Sequence, residues 1–95
     1  MPDPLGQVFS ALADERRRHV LGFLATNGTA TATELSDELP ITRQAVAKHL
    51  GALSDAGLVE GERRGRETRY RLTRAGEEWD ERLDALRRHL EGRRA

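Results

Sequence analysis

The side chains best suited to chemistry stand close together in one segment of the chain: Thr42, Arg43, Gln44, Ala45, Lys48 and His49. Arginine can donate two hydrogen bonds to guanine, glutamine can exchange two with adenine, and a small side chain such as Thr42 or Ala45 can meet a thymine methyl. Lys48 and His49 are suited to phosphates, although His49 could instead form a hydrogen bond within the domain. These residue types predict contact with duplex DNA.

The elements that must position these side chains are two short helices joined by a turn. Residues 33–39 predict the first helix, Pro40 forces the turn, and the second helix begins at the N-cap Thr42 and ends near residue 56. Thr31 and Glu34 have the spacing of a capping box, although Thr33 could cap the first helix instead. A helix, a tight turn and a polar-faced helix over residues 33–56 are typical of a helix-turn-helix, whose second helix enters a DNA groove.

A basic hairpin follows over residues 58–72. Arg63, Arg64 and Arg66 surround Gly65 at its tip, and the second arm alternates between apolar or neutral residues and the arginines Arg69 and Arg71. We expect Arg63, Arg64 and Arg66 to reach the minor groove or its phosphates, with Arg69 beside them. The alternative is an edge strand that charged side chains keep soluble.

The charge distribution favours this half of the chain as the DNA-contacting half. The formal net charge is +0. Residues 1–40 carry three arginines and six acids (−3), residues 41–72 carry seven basic residues and four acids (+3), and residues 73–95 carry six of each. The positive excess therefore coincides with the predicted recognition helix and hairpin, although chance clustering could give a difference of this size.

The composition excludes several other classes of protein. Cysteine is absent, which rules out disulfides, thiolate metal sites and thiol catalysis. The three histidines lie on different elements without ligand spacing, so no metal or other cofactor is expected. We find no phosphate-binding loop or nucleophile elbow, and thus no sign of an enzyme. Aromatic residues make up 4%, too few for a platform that stacks single-stranded bases. No apolar run approaches a membrane span, and no signal-peptide pattern is seen, so a cytoplasmic protein is expected.

The two ends of the chain predict a dimerisation surface. The first helix, residues 5–13, begins at Asp3-Pro4 and carries an apolar stripe. The last helix, residues 74–91, carries a second stripe with coiled-coil spacing. Because this second stripe follows a domain that is already complete, we expect it to pair with the first helix across a two-fold axis. The predicted interface residues are Leu5, Val8, Phe9, Leu12, Trp79, Leu83, Leu86 and Leu90.

The order of elements and several local strings resemble the ArsR family of bacterial transcriptional repressors. The matching residues are 8–14, 16–24, 33–36, 42–50, 53, 56–59, 64–66 and 70–72. The resemblance implies a homodimer that binds a palindromic operator in double-stranded DNA and responds to an effector. It does not extend to the metal sites of the family: residues 34–39 lack a Cys-x-Cys pair, and neither Asp80 nor His89 begins the Asp/His pattern of the last helix.

The whole sequence therefore predicts one domain over residues 1–95, mainly α with a small β-hairpin. Its fold is a winged helix-turn-helix with five helices and the hairpin between the fourth and the fifth. The expected function is repression of transcription by a homodimer on an inverted repeat. The alternatives are a protein-interaction winged helix that binds no DNA, and a MarR-like regulator that a small organic ligand releases. The sequence names no effector.

Overall fold

A computed structural model describes residues 3–93, so positions 1, 2, 94 and 95 of the predicted domain lie outside the described residues. Over that range the chain forms five helices and three strands. In chain order they are α1 (Pro4–Ala13), α2 (Glu15–Asn27), β1 (Thr29–Thr31), α3 (Ala32–Glu38), α4 (Arg43–Asp55), β2 (Val59–Arg64), β3 (Glu67–Leu72) and α5 (Arg74–Gly92). The predicted helices and hairpin are confirmed, with ends that differ by one or two residues.

Side-chain caps fix where the helices begin. The Asp14 carboxylate accepts a hydrogen bond from the Arg16 amide at 2.8 Å, and the Thr42 hydroxyl accepts one from the Ala45 amide at 3.2 Å. Thr31 and Glu34 form the predicted capping box, because each side chain accepts from the other residue's amide, at 3.1 and 2.9 Å. Thr31, rather than Thr33, is therefore the N-cap of α3.

The core lies where α2, α3 and α4 meet the strands. Its fully buried side chains are Val20, Leu21, Leu24, Leu35, Val46, Leu50, Leu53 and Leu58. Leucine and valine at helical spacing place one face of each helix in this cluster and leave the other face to solvent. The outward face of α4 is thus held rigidly from behind.

Strand β1 is the element that the sequence prediction lacks. It pairs antiparallel with β3, so that the described residues form a three-stranded sheet in the order β1-β3-β2. Only three residues long, β1 has no alternation that would reveal it, and its partner lies about forty positions away (Thr29 pairs with Arg71). The sheet fastens the hairpin to the start of α3.

The junction between α4 and α5 is tightly packed. Gly57 adopts a left-handed conformation (φ 78°) after α4. The Thr73 hydroxyl donates to the Gly57 carbonyl at 2.6 Å, and the Thr73 amide donates to the Leu58 carbonyl at 3.1 Å. Gly76 is buried, and a Cβ at this position would overlap the Leu58 carbonyl oxygen. The end of α4 and the start of α5 are therefore joined directly.

Among residues 3–93, we find no helix whose length and apolar character would suit it to cross a membrane.

Candidate nucleic-acid interface

The outward face of α4 carries four of the predicted DNA contacts. Thr42, Arg43, Gln44 and Lys48 are all exposed, while Val46 behind them is fully buried. The face presents donors and acceptors of the types that read base edges and bind phosphates.

Two small residues on this face escaped the sequence prediction. Ala47 and Gly51 are both exposed. Ala47 lies three residues after Gln44, and Gly51 lies three residues after Lys48. A Cβ added at Gly51 would meet nothing within 4 Å. The spacing from Gln44 is the signal that could have identified both residues, since positions i, i+3, i+4 and i+7 share one side of a helix. Their small size would let the helix backbone approach a groove closely.

His49 corrects the sequence prediction, because it does not face outward. The residue is 7% exposed, and its Nδ1 accepts a hydrogen bond from Arg17 Nε at 3.3 Å. Burial lowers the pKa of His49, so the ring is neutral, as an acceptor at Nδ1 requires. The alternative, a histidine bonded within the domain, is what the structure contains.

Ala45, also among the predicted contacts, is only partly exposed. It is half-buried and packs against the core. Contact of its exposed part with DNA stays a prediction.

Arg43 links the two helices of the helix-turn-helix. Its Nη2 donates to the Thr33 hydroxyl of α3 at 2.6 Å while the side chain stays exposed. Because a guanidinium has five donors, this bond fixes the arginine and leaves further donors free to point outward.

The hairpin presents two different faces. Residues directly opposite each other share a face, so Arg63 lies with Thr68 and Tyr70, whereas Arg64 lies with Glu67 on the other side. On that second side the charges are balanced: Arg64 contacts Glu62 at 3.6 Å, and Arg71 contacts Glu60 at 2.8 Å.

The tip of the hairpin keeps its positive charge. Gly65 and Arg66 connect the strands in a two-residue turn with Gly65 at φ 61°. Arg63 donates to the Gly65 carbonyl at 3.2 Å, and both Arg63 and Arg66 are exposed. Of the described residues, none provides a carboxylate that forms an ion pair with either arginine.

Arg69, another of the predicted contacts, has partners inside the domain. It forms an ion pair with Glu34 at 3.0 Å and donates to the Thr29 hydroxyl at 3.3 Å. The Thr31 amide and the Arg69 guanidinium both stabilise the Glu34 carboxylate, and the pKa of that carboxyl is lowered. Arg69 therefore ties the hairpin to α3, and its charge is neutralised there.

The predicted dimer residues fall into three groups. Leu5, Phe9, Leu86 and Leu90 are 52–54% exposed, which leaves a large apolar surface on α1 and α5. Val8, Trp79 and Leu83 are partly buried against the core. Leu12 is only 6% exposed and belongs to the interior of the single chain, so we remove it from the interface.

The contact predicted between the first and last helices already forms inside one chain. The rings of Phe9 and Trp79 meet edge to face, with centroids 5.6 Å apart, and Arg82 lies over the Trp79 ring at 5.1 Å. The pairing of α5 with α1 across a dimer axis stays a prediction beside this contact within one chain.

Metal ligands are not assembled in the part of the chain that the structure describes. There, no group of three or more histidine, aspartate and glutamate side chains comes close enough to hold a metal ion.

Comparisons with known proteins identify related chains. The profile of a family described as a helix-turn-helix domain matches residues 12–62. The uncharacterized HTH-type transcriptional regulator YuzN of Bacillus subtilis (strain 168) is 45% identical, over 62% of this chain and 71% of that protein. An ArsR-like transcriptional regulator from Rhodococcus sp. RHA1 has a TM-score of 0.69 at 42% identity, over 94% of this chain and 92% of that one.

A third relative was solved as a homodimer. The NMR structure of the winged helix-turn-helix DNA-binding domain Mb0332 from Mycobacterium bovis, a possible ArsR-family transcriptional regulator, has a TM-score of 0.75 at 29% identity. The match covers 95% of this chain and 80% of that one.

Proposed function

The chain belongs to the ArsR family of winged helix-turn-helix transcriptional regulators, which are DNA-binding proteins and not enzymes, and from this premise we propose that it represses transcription as a homodimer on an inverted-repeat operator. A regulator must act in the compartment that holds the DNA, so the proposal includes a cytoplasmic location.

The distribution of unpaired cations is the observation that carries the proposal. Arg64, Arg69 and Arg71 in the hairpin strands have carboxylate partners. Arg43 and Lys48 on α4, and Arg63 and Arg66 at the hairpin tip, form no ion pair with any of residues 3–93. Unpaired cations on a rigid surface attract phosphates, because binding releases the counterions of DNA.

In this proposal the outward face of α4 lies in the major groove and reads the bases. Gln44 can exchange two hydrogen bonds with adenine, Arg43 can donate two to guanine, and Thr42 can meet a thymine methyl. Ala47 and Gly51 let the helix approach the bases. Arg63 and Arg66 then contact the neighbouring minor groove or its phosphates.

The exposed apolar surface supports the dimer. Leu5, Phe9, Leu86 and Leu90 each leave more than half of their surface uncovered, which a small domain rarely does without a partner. Because Mb0332 is a homodimer, we place the same assembly here, with Val8, Trp79 and Leu83 supporting the exposed residues from below. Two-fold symmetry then sets the two half-sites about one helical turn apart.

The test is a gel shift and a footprint on the region upstream of the protein's own gene, at two salt concentrations. The proposal predicts a footprint with two symmetric halves and binding that weakens steeply with salt. A mixed-sequence duplex should bind more weakly. If neither duplex shows salt-sensitive binding, the proposal fails and a protein-interaction role is favoured. If small organic compounds release the protein from its operator, control of the MarR-like type is indicated.

A further inference from the structure

Arg16 and Arg17, at the start of α2, lie outside the predicted contact set but next to the recognition helix. Arg17 is half-buried, and its Nε donates to His49 Nδ1 on α4 at 3.3 Å. Arg16 is exposed one position earlier. The bond to His49 therefore holds the start of α2 against the middle of α4, one residue from Lys48.

Three cations surround the His49 ring at different distances, and Arg17 is the one bonded to it. Arg16, Arg17 and Lys48 all act electrostatically on the His49 ring and contribute to the lowering of its pKa. Asp14 opposes them, and it also accepts the Arg16 amide as the N-cap of α2. Asp14 is the carboxylate that acts on the His49 ring, while Asp55 lines a groove with Arg17 without forming an ion pair to it.

None of the three cations forms an ion pair with a carboxylate of residues 3–93. Lys48 lies one helical turn after Gln44 on α4, and the bond from Arg17 to His49 places Arg17 beside the same part of the helix. Arg43 extends the track toward the hairpin, since it is bonded to Thr33, which lines the same groove as Arg66. Cations without a carboxylate partner among residues 3–93 therefore lie at the hairpin tip, on α4 and at the start of α2.

We propose that Arg16 and Arg17 form a second phosphate-binding site, which contacts the DNA strand beside the groove that α4 enters, and that His49 positions Arg17 for this contact. The inference rests on the proposed function, because it needs α4 to lie in a groove.

The contact is to phosphate and not to bases. Both arginines belong to α2, so neither lies on the helix that is proposed to enter the groove. A guanidinium can donate two parallel hydrogen bonds to one phosphate, and such contacts fix the orientation of a protein without reading the sequence. The site should therefore strengthen binding to every duplex alike.

The experiment measures binding of the full chain to a mixed-sequence duplex by fluorescence anisotropy across a salt series. Each lost phosphate contact lowers the slope of log Kd against log salt by about 0.9. Arg16→Ala and Arg17→Ala should each show this loss. The matched control is Arg74→Ala, whose side chain is 93% exposed and already pairs with Glu78, and which should keep the wild-type slope.

The positioning role of His49 is tested with two substitutions. His49→Gln keeps an acceptor for Arg17 and should retain the slope, whereas His49→Leu removes the acceptor and should lose the same part of the slope as Arg17→Ala. Thermal melts establish that each variant is folded, and the exposed Arg16→Ala keeps the inference testable if a His49 variant is not.

The outcomes separate the two proposals. If the wild-type chain shows no salt-dependent binding to duplex DNA, the proposed function itself fails. If the wild type binds and Arg16→Ala and Arg17→Ala keep the slope of Arg74→Ala, the second phosphate site is refuted while the proposed function stands. If both arginine variants lose slope but His49→Leu does not, the positioning role of His49 is refuted.

Discussion

Helices α4 and α5 are both amphipathic, but α4 exposes unpaired cations and α5 exposes apolar side chains. On α4 the apolar residues Val46, Leu50 and Leu53 are at most 2% exposed, and Arg43 and Lys48 have no carboxylate partner among residues 3–93. On α5 the arrangement is reversed: Leu86 and Leu90 are 53% exposed, and the arginines pair with Glu78 or Asp84. A surface for a polyanion keeps its cations free, and a surface for an apolar partner neutralises its charges.

The contrast between α4 and α5 requires the packed junction between them, where Gly76 lies against Leu58. Gly76→Ala should destabilise the fold by about 3 kcal/mol or more, because its methyl group would overlap the Leu58 backbone carbonyl, which cannot move aside without displacing β2. Urea unfolding measures the loss. The control is Gly51→Ala on α4, where the methyl group meets nothing, and a gain of about 0.5–1 kcal/mol is expected.

The next largest effect concerns α5 alone. Leu86→Asp should weaken the dimer about 100-fold or more, because each copy loses the burial of one leucine, worth about 1.5–3 kcal/mol, and gains a charge in the interface. Sedimentation equilibrium measures the dissociation constant. Arg88→Ala is the control at the charged edge of the same helix. An unchanged dimer in Leu86→Asp would show that the exposed leucines do not form the interface.

On α4, Gln44→Ala should weaken operator binding by roughly 1–3 kcal/mol and relax sequence preference at one base pair of each half-site. Competition binding against operator variants measures the preference. Equal losses on the operator and on mixed-sequence DNA would contradict the base-reading role.

The contrast between paired and unpaired cations can be tested within the hairpin. Arg66→Ala should reduce the salt slope of DNA binding by about 0.9, because it removes an unpaired charge. Arg71→Ala should leave the slope nearly unchanged, since Arg71 is held by Glu60 at 2.8 Å. If the two variants lose equal slope, pairing does not decide which arginine meets the phosphates.

The smallest expected effect is a dependence of stability on pH. Burial lowers the pKa of His49 below its ordinary value of 6.5, so the folded state favours the neutral ring. The associated stability is complete above about pH 6.5 and is lost as the pH falls through the lowered pKa. The Tm should therefore fall between neutral pH and about pH 5. In His49→Gln this part of the decrease should be absent; an identical profile would contradict the assignment.

The sequence predicted the helices because their signals are local. Caps such as Thr42, the Thr31–Glu34 capping box and the apolar spacing of α4 depend on residues within one or two turns. The hairpin was predicted for the same reason, from Gly65 and the alternation after it.

The features that the sequence did not predict depend on contacts between residues that are distant in the chain. His49 is polar, but Arg17, thirty-two positions away, gives it a partner inside the domain. In sequence, Arg69 cannot be told apart from the other hairpin arginines, but in the fold it pairs with Glu34 of α3. Strand β1 exists only because β3 lies beside it. Local sequence carries no record of such pairings.

The Thr73 hydrogen bonds to Gly57 and Leu58 also bear on DNA spacing. They join the end of α4 to the start of α5, so we expect the two helices to move together. In the proposed dimer, α5 joins the two copies. The distance and the angle between the two recognition helices should therefore be fixed. One added base pair between half-sites rotates the second by roughly a tenth of a turn. The DNA, rather than the protein, would have to twist to restore the fit.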